Sequence, residues 1–182
     1  MPSPHLRIVG LCGSLRKTSR NRGLLRALQA QFPSDVVFTI ADLSDVPLYN
    51  PDGEQPYPES VLALKDLVSQ ADGLVISSPE YNLSYPAVLK NALEWLSRRA
   101  LGAQLAGKPT AIMGTAPISV AVSQSHLRDV LVALNLNVLA RPIVQIVDNN
   151  QGRFDEDGTL IDADTMNTLT KVRDALLEAI AR

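Results

Sequence analysis

Short apolar runs rich in Val, Ile and Leu alternate along this chain with longer segments whose apolar residues recur every three or four positions. The short runs, at residues 6–11, 36–40, 73–77, 110–114 and within 138–147, have the length and β-branched content of buried strands. The longer segments read as amphipathic helices over residues 22–30, 60–70, 86–96, 122–134 and 164–181. Val61, Leu64 and Val68 share a face of the second, and Leu127, Val130, Leu131 and Leu134 mark the fourth. Leu169, Val172, Leu176 and Ile180 form a single stripe on the last. Pro86 stands at the start of the third, where its missing N–H costs nothing.

Strands alternating with helices are the pattern of βαβ units, whose crossovers are right-handed and cover a parallel sheet on both faces. The expected architecture is α/β: a doubly wound, flavodoxin-like sandwich with a five-stranded parallel sheet in the order 2-1-3-4-5 and helices on both faces. With 182 residues the chain is expected to form a single domain, residues 1–182. Ligands of such sheets bind beyond the carboxyl ends of the strands at the topological switch point, here between strands 1 and 3. That rule nominates residues 12–19, 78–86 and 114–121. Residues 42–58, with Pro47, Pro51, Pro56, Pro58, Tyr49 and Tyr57, are long for a connection and point to a functional loop. Residues 155–158 read as a simple turn.

Composition narrows the function classes. The net charge is −2, from 17 basic and 19 acidic residues, so no bulk affinity for nucleic acid or an anionic membrane is expected. Neither an apolar leader core nor an apolar run of membrane-spanning length is present, which makes a cytoplasmic protein the expectation. The lone Cys12 excludes an internal disulfide and any multi-cysteine metal site; directly after the first strand, it reads as a small packing residue. His5 and His126 lack ligand spacing, and no metal site is predicted.

Residues 10–22, GLCGSLRKTSRNR, carry the first chemical signal. A strand runs there into a loop with Ser14, Thr18, Ser19, Asn21 and the cations Arg16, Lys17, Arg20 and Arg22, immediately before a helix. Positive side chains oppose a helix N-terminus, which favours anions, so four of them imply a phosphate held among backbone N–H groups and hydroxyls. The plain alternative is a solvated helix start with capping hydroxyls. Residues 78–86, SPEYNLSYP, supply an aromatic ring, a carboxylate, an amide and backbone groups suited to the faces and edge of a planar heterocycle, or else a proline-bounded turn. Gly10 and Gly13 fit no dinucleotide fingerprint and no Walker lysine follows, which leaves a mononucleotide cofactor, FMN foremost.

GSLRKTSRNRGLL followed by SPEYNLSYPAVLKNALEWLS resembles the NADPH-dependent FMN reductase family, on its quinone and chromate reductase branch, over roughly residues 6–135. The resemblance implies a flavodoxin-like fold, non-covalent FMN, and NADPH or NADH as reductant. It implies reduction of small acceptors (quinones, chromate, azo compounds or free flavin) by alternating hydride steps. By the same likeness Ser14, Arg16, Ser19 and Asn21 match phosphate-binding positions, while Pro79, Glu80, Tyr81 and Asn82 match the segment along the isoalloxazine. Homodimers or homotetramers are implied, with residues 42–50 similar to a loop that reaches a neighbouring subunit's flavin. Lys90 and Asn91 fit the family's LKNA stretch in an anchoring role, and Arg128 resembles another recurrent family position, read as an interface ion pair. Trp95 reads as a packing residue, the alternative being a place near the site or the subunit interface. One departure stands out: residues 114–121, GTAPISVA, carry Ser119 and Val120 where the family has glycines. Thr115 either reaches a flavin oxygen or bonds backbone at the strand end. No catalytic side chain is assigned, because the flavin carries the reaction. The alternative is a flavodoxin-like electron carrier without nicotinamide turnover.

Overall fold

The computed structural model describes residues 6–149 and 151–182, which leaves His5 outside the described residues. Strand and helix alternate as the hydrophobic pattern predicts: β1 (Leu6–Cys12), α1 (Arg20–Gln29), β2 (Val36–Ile40), α2 (Glu59–Ser69), β3 (Gly73–Ser77) and α3 (Ala87–Leu96). They continue with β4 (Pro109–Ala116), α4 (Ala121–Ala133), β5 (Asn137–Val138), β6 (Val144–Val147) and α5 (Ala163–Ile180). The sheet order is β2-β1-β3-β4-β5 and every pairing is parallel.

Among the described residues the sheet has six strands rather than the expected five. The run within 138–147 splits: β5 pairs with Pro109 and Thr110 of β4, and β6 rejoins the same edge opposite residues 113–116. Pro142, between the two, has no N–H to donate to a ladder, and the chain leaves the edge there before returning to it.

The two-residue period of the strands sorts the core onto two faces. Val9, Leu11, Leu74, Ile76 and Ile112 face α2, α3 and α4. Ile8, Cys12, Val75, Ala111 and Met113 face α1 and α5. Each helix meets the sheet with the stripe its sequence predicts: Val61, Leu64 and Val68 of α2, and Leu169, Val172 and Leu176 of α5, are buried.

Residues 42–58 lie pinned on α3. Asn91 donates to the Pro47 carbonyl at 2.9 Å and accepts from Tyr49 N at 2.8 Å, while Trp95 Nε1 donates to the same Pro47 carbonyl at 2.8 Å. The Tyr49 ring meets Trp95 edge-on at 5.1 Å, and the Arg98 guanidinium covers Tyr49 at 4.9 Å. Leu48 is left pointing outward, 82% exposed. Asn91 and Trp95 thus do what their positions predict, anchoring and packing. Arg128 donates to the Leu139 carbonyl of its own chain at 3.1 Å, a bond that needs no second subunit.

Candidate functional site

Three adjacent strands, β1, β3 and β4, end at one edge of the sheet, and their following loops meet there. Gly13 N donates to the Ser77 carbonyl at 2.8 Å and Ser78 N to the Met113 carbonyl at 3.1 Å, so the two ladders continue one residue past the ends of β1 and β3. The first loop then turns into α1. Ser19 is its N-cap, extended at φ −70° and ψ 115°, with Oγ accepting from Arg22 N at 3.2 Å. The other first-turn amides of a helix have no intrahelical acceptor.

A cavity of about 430 Å³ opens where these loops converge, within the range of small-molecule sites. Ser14, Arg16, Thr18, Ser19, Arg20 and Asn21 form one side, Pro79 and Tyr81 a second, and Thr115, Ala116 and Pro117 the floor. Seven of the nine residues nominated from sequence therefore border one space. Glu80 and Asn82 do not. Glu80 turns away to α4, where its Oε2 accepts from Ser123 N at 2.9 Å and caps that helix from outside. Asn82 lies in a tight turn closed by reciprocal bonds between Tyr81 and Ser84, with φ of 50° at Asn82 and 60° at Leu83. Tyr81 stays half-exposed at the cavity mouth.

The absent glycines are accommodated without strain. Val120 is buried at the N-cap of α4 with φ −130°, and neither it nor Ser119 adopts a positive φ. Ser119 Oγ accepts from Ala121 N at 3.0 Å. Where the floor truly requires glycine is Gly114: a Cβ there would lie 2.2 Å from the Ser78 carbonyl oxygen.

Charge is unevenly distributed among the four cations. Arg20 is engaged: its Nη1 lies 2.9 Å from Asp148 Oδ2 and donates to the Asp148 carbonyl at 3.1 Å, with Phe154 beneath it at 5.8 Å. Arg16 borders the cavity, is exposed, and has no carboxylate in ion-pair reach among the described residues. Lys17 and Arg22 do not border the space. Cys12 lies beneath, its thiol donating to the Ser14 carbonyl at 3.4 Å; burial pushes that thiol up and keeps it neutral, as a packing residue.

The sequence reading missed the far wall. Residues 153–161 form a small hairpin, bridged between Phe154 and Leu160, that folds back onto the start of α1. Its turn, read from sequence as simply a turn, brings Asp155 and Glu156 to the cavity. The contact is so close that a Cβ on Gly23 would lie 1.9 Å from the Gly158 carbonyl oxygen. No local sequence signal joins these segments; only tertiary packing does.

Asn21 is the best-bonded polar group of the site. Its Nδ2 donates to the Thr115 carbonyl at 2.9 Å, and its Oδ1 accepts from Thr115 N at 3.1 Å and from Ser77 Oγ at 3.0 Å. Thr115 Oγ1 is buried with no hydrogen-bond partner among the described residues. A buried, unpartnered hydroxyl is costly and marks a place for a further polar group. With the helix N-terminus and Arg16 for an anion, and Pro79 and Tyr81 for a ring, the residues present suit a phosphorylated heterocycle such as FMN. Among the described residues no cluster of His, Cys, Asp and Glu could hold a metal, and no helix is long and apolar enough to cross a membrane.

Comparisons with known proteins agree with this chemistry. The model of the NADPH-dependent FMN reductase family matches residues 6–151. A 2-hydroxy-1,4-benzoquinone reductase from a Burkholderia species is 40% identical, the match covering 93% of each chain. A quinone reductase of Escherichia coli is 42% identical, covering 87% of this chain and 89% of the relative. Among solved structures, FerB, a flavoenzyme NAD(P)H:(acceptor) oxidoreductase from Paracoccus denitrificans, superposes with a TM-score of 0.85 at 32% identity over 97% of each chain.

Proposed function

The chain belongs to the NADPH-dependent FMN reductase family, and on that premise we propose that it is an FMN-dependent oxidoreductase that takes electrons from NADPH or NADH and delivers them to quinones or similar small acceptors. The observation that carries the reading is the convergence of a phosphate-type loop and a ring-type loop on one cavity at the switch point between β1 and β3.

FMN, when bound, would supply the two-electron redox chemistry that links nicotinamide to acceptor. The chain's own residues bind and orient. Arg16, Ser14, Ser19 and the first-turn amides of α1 hold the phosphate; Pro79 and Tyr81 flank the ring. Thr115 offers its hydroxyl at the floor. Glu80 and Asn82 act one step back, the first by fixing α4 against the loop and the second by shaping the turn that presents Tyr81. The half-exposed Tyr81 at the mouth leaves a face open for nicotinamide and acceptor in turn. The reading extends to one domain over residues 1–182 acting in the cytoplasm as a homodimer or homotetramer, with the outward Leu48 favouring a partner surface.

Purified protein is expected to be yellow, to be bleached by NADPH or NADH without oxygen, and to oxidise the nicotinamide continuously when a quinone is added. Protein that takes up no FMN overturns the reading. Flavin that binds yet resists both nicotinamides makes the protein an electron carrier instead.

A further inference from the structure

The family resemblance places Asn21 at the phosphate, but the amide has been put to another use. A side-chain amide offers two donors and two acceptor lone pairs. Three of those four capacities are already filled, all within the protein and all in a residue only 4% exposed.

The reason lies in how the sheet ends. Residues facing a given neighbour along a strand alternate. Met113 faces β3, and its carbonyl accepts from Ser78 N in the last backbone bond between the two strands. Beyond Ser78 the chain departs into the loop, and Glu80, the next residue in register to face β4, makes no backbone bond to it. Thr115, two residues after Met113, faces the same edge and would be left there with an unpaired N–H and an unpaired carbonyl. Asn21 meets both, donating to the carbonyl and accepting from the N–H as a strand would. On the opposite edge β6 continues to serve β4: Asp148 N donates to the Ala116 carbonyl at 3.0 Å. Ser77 Oγ, the end of β3, braces the amide from below.

We infer that Asn21 is a positioning residue: its amide substitutes for the strand that β3 no longer provides and fixes Thr115, Ala116 and Pro117, the floor of the cavity, at a set height against α1. This inference rests on the FMN reading. It separates Asn21 from Arg16, which acts on the phosphate itself. A floor residue acts on whatever ring and side chain lie above it, with or without a phosphate.

Riboflavin, which lacks the phosphate, makes the distinction measurable. Affinities of the apoprotein for FMN and riboflavin are compared for wild type, Asn21→Ala, Ser77→Ala, the double variant and Arg16→Ala. Visible circular dichroism of the bound flavin is recorded at saturating FMN. Asn21→Ala is expected to weaken both flavins alike, by about tenfold, as for a buried hydrogen-bonding group left unpaired. The dichroism of its bound flavin changes, because the floor has moved. Ser77→Ala, whose hydroxyl does not border the cavity, shows the same pattern to a smaller degree and carries the test if Asn21→Ala does not fold. The double variant is no worse than Asn21→Ala, since both act through one network. Loss of FMN affinity with riboflavin unchanged, the signature expected of Arg16→Ala, overturns the inference and returns Asn21 to the phosphate. Bound-flavin dichroism identical to wild type overturns it too, reducing Asn21 to a support of the fold. Wild-type protein that binds neither flavin fails earlier, at the FMN reading.

Discussion

Arg16, in the loop after β1, and Arg20, the first residue of α1, border the same cavity, yet their surroundings give them different work. Arg20 is committed to the buried Asp148 and to the Phe154 ring, so it ties α1 to the segment after β6. Arg16 has only solvent and the cavity. Arg16→Ala should therefore weaken FMN binding roughly tenfold to a hundredfold, the worth of a charge-assisted hydrogen bond, and leave riboflavin binding alone. Titration of flavin fluorescence with each ligand checks both halves. Glu156 is expected to work in the opposite direction, since its hairpin packs on Thr18 and Ser19 and so brings a like charge toward the phosphate loop. Glu156→Gln is expected to tighten FMN binding by about twofold to fivefold at low ionic strength, an advantage that fades above about 0.5 M salt as screening shortens. An unchanged dissociation constant at low salt would show that this carboxylate faces away from the phosphate.

Among the elements, α4 shows how a helix can be started from outside. Val120 at its N-cap has no side chain that can accept a hydrogen bond, and Glu80 supplies the acceptor from the loop after β3. Glu80→Ala should cost about 1 kcal/mol of stability by urea unfolding, the usual effect of losing a cap. It should also loosen Tyr81, read as a raised KM for the acceptor. The last helix, α5, starts conventionally: Asp162 caps it through Thr165. The hydroxyl and N–H of Thr165, with Arg153 adding to them, hold the Asp162 carboxyl below its ordinary value. A lowered folded-state pKa means stabilisation that is complete above the unfolded value of about 3.9 and is lost as pH falls through the folded one. Asp162→Asn keeps a capping oxygen but does not titrate. The Tm advantage of wild type over this variant should hold above about pH 5 and shrink as pH falls below about 4; an advantage that stays constant through that fall would exclude the mechanism. Helix and strand positions were legible because burial imposes periods of 3.6 and 2 on the sequence. The split of the last strand was not, because Val138 and Val144 look alike locally and only pairing with β4 tells two strands from one.

At the level of the whole molecule, the site depends on a strap. The hairpin at residues 153–161 closes onto α1 where Gly23 and Gly158 touch. Gly23→Ala forces a methyl into the Gly158 carbonyl and is expected to destabilise the fold by about 1–3 kcal/mol. It should also raise the FMN dissociation constant by displacing the wall that holds Asp155 and Glu156; thermal unfolding and flavin titration on the same sample test the two effects together. The amino-acid sequence by itself determined the α/β alternation, the parallel sheet, the loops at the switch point and the family, because these follow from local periodicity and from two contiguous motifs. Tertiary structure alone decided that Glu80 serves α4, that Arg20 serves Asp148, that Asn21 stands in for a missing strand, and that a distant turn walls the cavity. Each of those depends on which backbone groups remain unpaired once the sheet is assembled, and that is settled only when segments far apart in sequence compete for the same partners.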